Sequence, residues 1–141
     1  PNTYEEQKFF RQQHLSGRNG KILFSIVENK KNELIGTCSV NIDLMNPAKR
    51  AEISIVIGAK KMNTGPIYFA VNHWLVDHCF NHLNLNCILA TTSEGNSVVR
   101  LTLERLGFKK AGLMRNTLFK NGKYLNSVYY DILKKDWDKS Q

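Results

Sequence analysis

Three early stretches of the chain, rich in apolar residues and bounded by polar turns, read as strands, and in the third apolar positions recur with a period of two. The first covers residues 22–27 (Ile-Leu-Phe-Ser-Ile-Val), and a polar turn at 29–32 leads to a second strand over 34–44. A turn at Asn46-Pro47 leads to a third over 50–57, where Ile53, Ile55 and Ile57 alternate with Ser54 and Val56. Three strands at such short spacing predict an antiparallel meander. The period then changes. Gly65-Pro66 opens a helix to about residue 83, since proline is well tolerated in a first helical turn. Trp74, Leu75, Cys79, Phe80 and Leu83 form its apolar side, and Asn72, His73, Asp77, His78, Asn81 and His82 its polar stripe.

Residues 87–92 read as a short buried strand, and 96–106 as an amphipathic helix that Gly107 ends. Two more strands, 108–119 and 123–133, flank Asn121-Gly122, a strong hairpin-turn signal. At the start of the chain, Thr3 and Glu6 have the spacing of a capping box for a helix to about residue 14, which the run 16–20 breaks. The order α, three β, α, β, α, two β predicts a mixed sheet with helices packed against it. There is no internal repeat and no linker.

Length and composition narrow the class. A chain of 141 residues with 42% hydrophobic content suits one domain with one core and argues against disorder. No apolar run approaches the ~20 residues of a membrane span. Cys38, Cys79 and Cys87 are odd in number and lack CxxC spacing. A disulfide framework or zinc cluster is therefore not expected, and a reducing cytoplasm fits. The net charge is +8, and residues 100–141 hold ten Lys or Arg against four Asp or Glu. Such a field favours an anionic partner: a nucleotide cofactor, an acidic protein or RNA. A solvated basic surface accounts for it equally well. No RNA-binding motif accompanies it, so nucleic acid is a minor option.

Four segments carry a resemblance. Leu34-Ile35-Gly36-Thr37 and Arg50-Ala51-Glu52-Ile53 come first, then Glu94-Gly95-Asn96 followed by Leu106-Gly107-Phe108. Asn121-Gly122-Lys123-Tyr124 and Ile132-Leu133-Lys134-Lys135-Asp136-Trp137 close the series. In this order they resemble the GNAT (Gcn5-related N-acetyltransferase) superfamily, most strongly its RimJ/RimL-like and small-amine acetyltransferase-like branch. The resemblance covers nearly all of residues 3–137. It implies an α/β (α+β) fold with a mixed, mainly antiparallel central sheet flanked by helices, in a single domain over 1–141. It also implies acetyl-CoA as co-substrate and no metal. The family normally begins with a further strand and helix, and this chain opens at Pro1, so an N-terminally shortened member is expected.

The same resemblance assigns residues. Ile55, Val56 and Ile57 would offer main chain to the pantetheine arm of acetyl-CoA, in a gap between the central strand and the next. The diphosphate would sit on amides at the following helix N-terminus, where the dipole favours anions. Without gaps, Asn63, Thr64, Gly65, Pro66, Ile67 and Tyr68 fall on that loop. The family's pattern there is [Gln/Arg]-x-x-Gly-x-[Gly/Ala], and Pro66 and Tyr68 replace its two small residues. Proline donates no N–H, and tyrosine adds bulk where the backbone should be bare, so weakened CoA affinity is expected. Lys60 and Lys61 could add compensating charge.

Glu52 matches the family's base or amine-binding carboxylate; the alternative is an ion pair with Arg50 or a neighbour. Asn96 matches an asparagine that contacts the cofactor arm, and it equally reads as an N-cap. The usual proton-donor positions hold Leu103 and Val99, which leaves Tyr130, or else its neighbour Tyr129, on the last strand. His78 and His82 have the i,i+4 spacing of a zinc pair without an HExxH glutamate, and read better as a polar helix face. Cys79 and Cys87 read as core. The expected activity is acetyl transfer by direct attack of a primary amine, on a protein N-terminus, a polyamine or an amino sugar. The alternative is a catalytically impaired binding or regulatory module, and a homodimer through exposed strand edges is possible in either case.

Overall fold

The computed structural model describes residues 19–58 and 64–141. The strands are β1 (Lys21–Glu28), β2 (Glu33–Ile42), β3 (Arg50–Ile57), β4 (Cys87–Ser93), β5 (Lys109–Lys120) and β6 (Lys123–Leu133). The helices are α1 (Gly65–Asn81), α2 (Ser97–Leu106) and α3 (Lys134–Ser140). The six strands form one sheet in the order β1-β2-β3-β4-β6-β5. β3 and β4 run parallel and every other pair antiparallel. The mixed, mainly antiparallel sheet matches the expectation, meander included. The helix expected over residues 3–14 lies outside the described residues.

Local chemistry explains the turns. Asn121 and Gly122 both have positive φ, 53° and 73°, which is the backbone a two-residue hairpin turn needs. Gly107 ends α2 at φ 103° and its amide reaches the Glu104 carbonyl. Gly36 meets a different demand. A β-carbon there would fall on the Val56 carbonyl oxygen and lie 2.9 Å from Ile57 Cα, so only glycine lets β2 and β3 approach so closely.

One face of the sheet carries the core. Cys38, Val40, Ala51, Ile53, Ile88, Ala90, Val128, Tyr130 and Ile132 alternate onto it and pack against Leu75, Val76, Cys79 and Phe80 of α1 and Leu103 and Leu106 of α2. Trp137 of α3 closes one end and is 1% exposed. The sequence pattern placed 132–137 in the closing hairpin; it contains instead the start of α3, a helix of 7 residues that is too short to show a helical period. Two side chains of α1 depart from the predicted stripe. Asn72 is buried, and Trp74 is half exposed, packed edge-on to Phe24 and stacked on His78. No helix among the described residues is long and apolar enough to cross a membrane.

Candidate functional site

β3 and β4 share only three residue pairs, Arg50 with Cys87, Ala51 with Ile88 and Glu52 with Leu89. Beyond Glu52, β3 stays paired with β2 as far as Ile57 opposite Gly36. β4 likewise stays paired with β6 as far as Ser93 opposite Ser127. Each strand is held on its outer edge while the two inner edges diverge. Ile53, Ile55 and Ile57, whose main-chain groups face away from β2, therefore turn a row without strand partners into a wedge-shaped gap, and such groups demand a partner.

Three cavities adjoin along this gap. The innermost, about 50 Å3, lies between Ile53, Ser54 and Ile55 on one side and Ala90 and Thr91 on the other, under Val99 and Leu103. The second, about 260 Å3, is lined by Ile57, Asn96, Val98 and Val99. Tyr68 lines both and stands between them. The third, about 630 Å3, is an open groove between the start of α1 and the outer side of α2. Gly65, Pro66 and Phe69 form one wall, and Val98, Leu101 and Arg105 the other.

The start of α1 supplies few amides. Thr64 is the N-cap and makes no side-chain cap bond. Pro66 has no N–H, and the Tyr68 amide donates to the Thr64 carbonyl at 3.0 Å. Helix geometry leaves the amides of Gly65 and Ile67 as donors at that end. Asn63, the first residue of the expected phosphate loop, lies outside the described residues. The Tyr68 ring turns back into the gap, where its hydroxyl donates to the Ile55 carbonyl at 3.5 Å. Burial raises the phenol's pKa above its ordinary 10.0. Beneath it, the Asn72 amide donates to the Tyr68 carbonyl at 2.9 Å.

Glu52 alternates to the opposite face of the sheet, with Ser54 and Val56, away from the helices and into solvent. Its carboxylate accepts from the Thr91 hydroxyl at 3.4 Å, across the point where the strands part. The ion pair weighed for it with Arg50 is not formed. The Arg50 guanidinium is bound to Asp43 through both Nε and Nη2, at 3.1 and 3.0 Å. Glu52 lies in an open cleft of about 590 Å3 with Asn41, Asp43, Met45, Arg50 and Leu89. The gap in the sheet thus has a helix side and an open side, with Glu52 at the open one.

Asn96 stands at the mouth of the second cavity and caps α2, accepting from the Val99 amide at 3.3 Å. Tyr130 is not among the residues lining any of these cavities. It is fully buried beneath α2, where its hydroxyl accepts from Arg100 Nε at 3.1 Å and donates to Glu104 at 3.0 Å. Val99 and Leu103 do line the innermost cavity, as apolar walls. Sequence reasoning missed Arg105, Phe69, Thr91 and the inward aim of Asn72. Asn72 already stood out in the polar stripe and Arg105 in the basic C-terminal run, but neither signal gives a direction.

His78 and His82 stack with ring centroids 5.0 Å apart, and no group of three metal-binding side chains exists among the described residues. Burial pushes the Cys38 thiol up to about 11 and the Cys79 thiol up to about 12, so both stay protonated.

Residues 1–109 match a family profile described as the acetyltransferase (GNAT) domain. The chain is 35% identical over 98 residues to the "Putative ribosomal N-acetyltransferase YdaF" of Bacillus subtilis (strain 168), which covers 70% of this chain and 52% of that protein. It is 35% identical over 115 residues to the "Uncharacterized N-acetyltransferase p20" of Bacillus licheniformis, covering 81% and 63%. The chain thus spans about half to under two thirds of these curated relatives. Among solved structures, one titled as a probable acetyltransferase superposes with a TM-score of 0.78 at 30% identity, over 92% of this chain and 70% of that one. The spermidine N-acetyltransferase SpeG of Vibrio cholerae, in complex with CoA and spermine, superposes at 0.83 with 21% identity, over 97% and 79%.

Proposed function

The chain belongs to the GNAT acetyltransferase family, and on that premise we propose that it transfers acetyl from acetyl-CoA to a primary amine by direct attack. The observation that carries this reading is the end of β3–β4 pairing at Glu52 and Leu89. It leaves the main-chain groups of Ile53, Ile55 and Ile57, which face away from β2, without a β4 partner and able to pair with an extended, amide-bearing arm. Ile55 and Ile57 are the residues that would hold such an arm, whereas Val56, expected to share the role, turns its carbonyl to Gly36 of β2.

The residues fit the co-substrate unevenly. At the thioester end, the small innermost cavity, walled by Ile53, Val99 and Leu103 with Ser54, Asn72 and Thr91 also lining it, has room for a small acyl group. At the nucleotide end, the third groove offers Arg105 to a phosphate and Phe69 and Leu101 to a flat ring. Between them, Gly65 and Ile67 supply two amides for a diphosphate where Pro66 supplies none. Acetyl-CoA brings an acetyl group already activated as a thioester.

On the open side, Glu52 takes the proton from the incoming ammonium, directly or through a water, and holds the freed amine toward the gap. The amine nitrogen then bonds to the acetyl carbonyl carbon, the carbon–sulfur bond breaks, and the proton that the nitrogen sheds in becoming an amide balances the one that the leaving thiolate takes up. The acceptor cleft carries Asp43 and Glu52, and Arg50 answers only Asp43. A cationic amine therefore suits it: a polyamine, an amino sugar or a protein N-terminus.

A second reading is a binding or regulatory module without turnover. The specific observation that favours it is the start of α1, where Pro66 removes an amide and the Tyr68 ring fills the gap. One titration separates the two. Acetyl-CoA at 100 times its dissociation constant stabilises the fold by about 2.7 kcal/mol, visible as a rise in melting temperature. Arg105→Ala should weaken that binding, and less so for CoA lacking the 3′-phosphate. No shift with millimolar acetyl-CoA would leave only the second reading.

A further inference from the structure

The Ile55 carbonyl belongs to the unpaired row of β3, and it already has a partner. The Tyr68 hydroxyl reaches it at 3.5 Å, and the ring separates the innermost cavity from the second. An extended arm entering from the α1 side must pass this ring before it pairs with β3. The Tyr68 backbone is pinned from below by Asn72 and from the preceding turn by Thr64, so only the side chain is left to swing. At 3.5 Å the contact with Ile55 is longer than an ordinary O–H···O hydrogen bond, so it is weak and breaks readily.

We propose that Tyr68 is a latch on the slot: its hydroxyl holds the Ile55 carbonyl that the pantetheine arm must take, and the arm enters only when the ring swings out. The inference rests on the CoA reading of the gap given above. It turns the bulky residue at the start of α1 from a defect in the phosphate loop into a control on entry. The raised pKa keeps the phenol a donor throughout the neutral range, so the latch does not respond to pH there. Binding is weakened by the fraction of molecules in which the slot is open. An ordinary hydrogen bond would bias the closed form by about fivefold, and this longer contact biases it by less.

The test compares the wild-type chain with Tyr68→Phe, which keeps the ring and removes the hydroxyl, and with Tyr68→Ala, which removes both. CoA is titrated by calorimetry, and its association rate is measured by stopped flow. The latch requires Tyr68→Phe to bind CoA more tightly, by about two- to fivefold, with most of the gain in the association rate. Detectable binding by Tyr68→Phe or Tyr68→Ala where the wild type shows none supports it equally. If the wild type binds CoA and Tyr68→Phe binds no better, the hydroxyl is a wall or a ligand contact, and the latch is wrong while the slot stands. If none of the three binds at millimolar CoA, the CoA reading fails, and the latch with it.

Discussion

The Thr91 hydroxyl donates to the Glu52 carboxylate at 3.4 Å, across the point where β3 and β4 part. This is the only polar side-chain contact of Glu52 among the described residues that bridges the two strands, and no ion pair competes for the carboxylate there. A carboxylate so placed can take a proton from an amine in the open cleft. Glu52→Gln is expected to lower kcat/KM for a primary amine by about 100-fold. Calorimetry should find the CoA dissociation constant unchanged, because the side chain faces away from the helix side. An unaltered rate would remove Glu52 from the mechanism.

Asn96 joins the second cavity to the frame of α2. Asn96→Ala loses the bond to the Val99 amide and is expected to cost about 1 kcal/mol in urea unfolding. Asn96→Ser should restore most of that stability, since serine is as good an N-cap. If the amide also touches the co-substrate, CoA affinity will not recover in Asn96→Ser, and the two roles separate.

Tyr130 is held from two sides, by Arg100 and Glu104, and it lines none of the three cavities along the gap. Tyr130→Phe leaves both partners to solvent on the α2 surface. A loss of about 1 kcal/mol in stability is expected, with kcat unchanged in a thiol-release assay. A large fall in kcat at intact stability would restore Tyr130 as proton donor.

His78 gives the fold a pH dependence. Burial against Trp74 and Phe24 lowers its pKa from the usual 6.5, the charge of His82 lowers it further, and Asp77 opposes both. The unfolded chain therefore takes up the proton first. The stability His78 contributes is complete above its unfolded pKa and is lost as pH falls through the lower, folded one. The melting temperature should drop on acidification from neutral pH to about 5, and drop less in His78→Gln. An equal drop in both proteins would place the acid sensitivity elsewhere.

Gly36 sets how closely β2 approaches β3 beside the gap. Gly36→Ala drives a methyl group into the Val56 carbonyl and Ile57 Cα. The expected cost is about 1–3 kcal/mol, read from chemical unfolding. Because β3 must shift to make room, CoA binding should weaken as well.

Much of the frame was legible in the chain. β3 and β6 occupy the predicted ranges, and β1, β2, β4, β5, α1 and α2 differ at their ends by one or two residues. Strand alternation, the Asn121-Gly122 turn and the Gly107 stop act through neighbours in sequence, so the sequence displays them. The family too was readable, because its motifs are short and ordered along the chain. α3 was not, since seven residues cannot establish a period.

The sequence by itself determined which segments are strands and helices, which family they spell, and that the loop before α1 is unlike the family's. The tertiary structure alone decided that Arg50 pairs with Asp43 and leaves Glu52 to Thr91, and that Tyr130 is tied under α2. It alone decided that Tyr68 enters the gap and that Asn72 lies beneath it. Each of these joins groups on different elements, or fixes a side chain's direction by what surrounds it. Such contacts depend on how the sheet and helices pack, and a periodic pattern specifies a face, not the neighbour that face will meet.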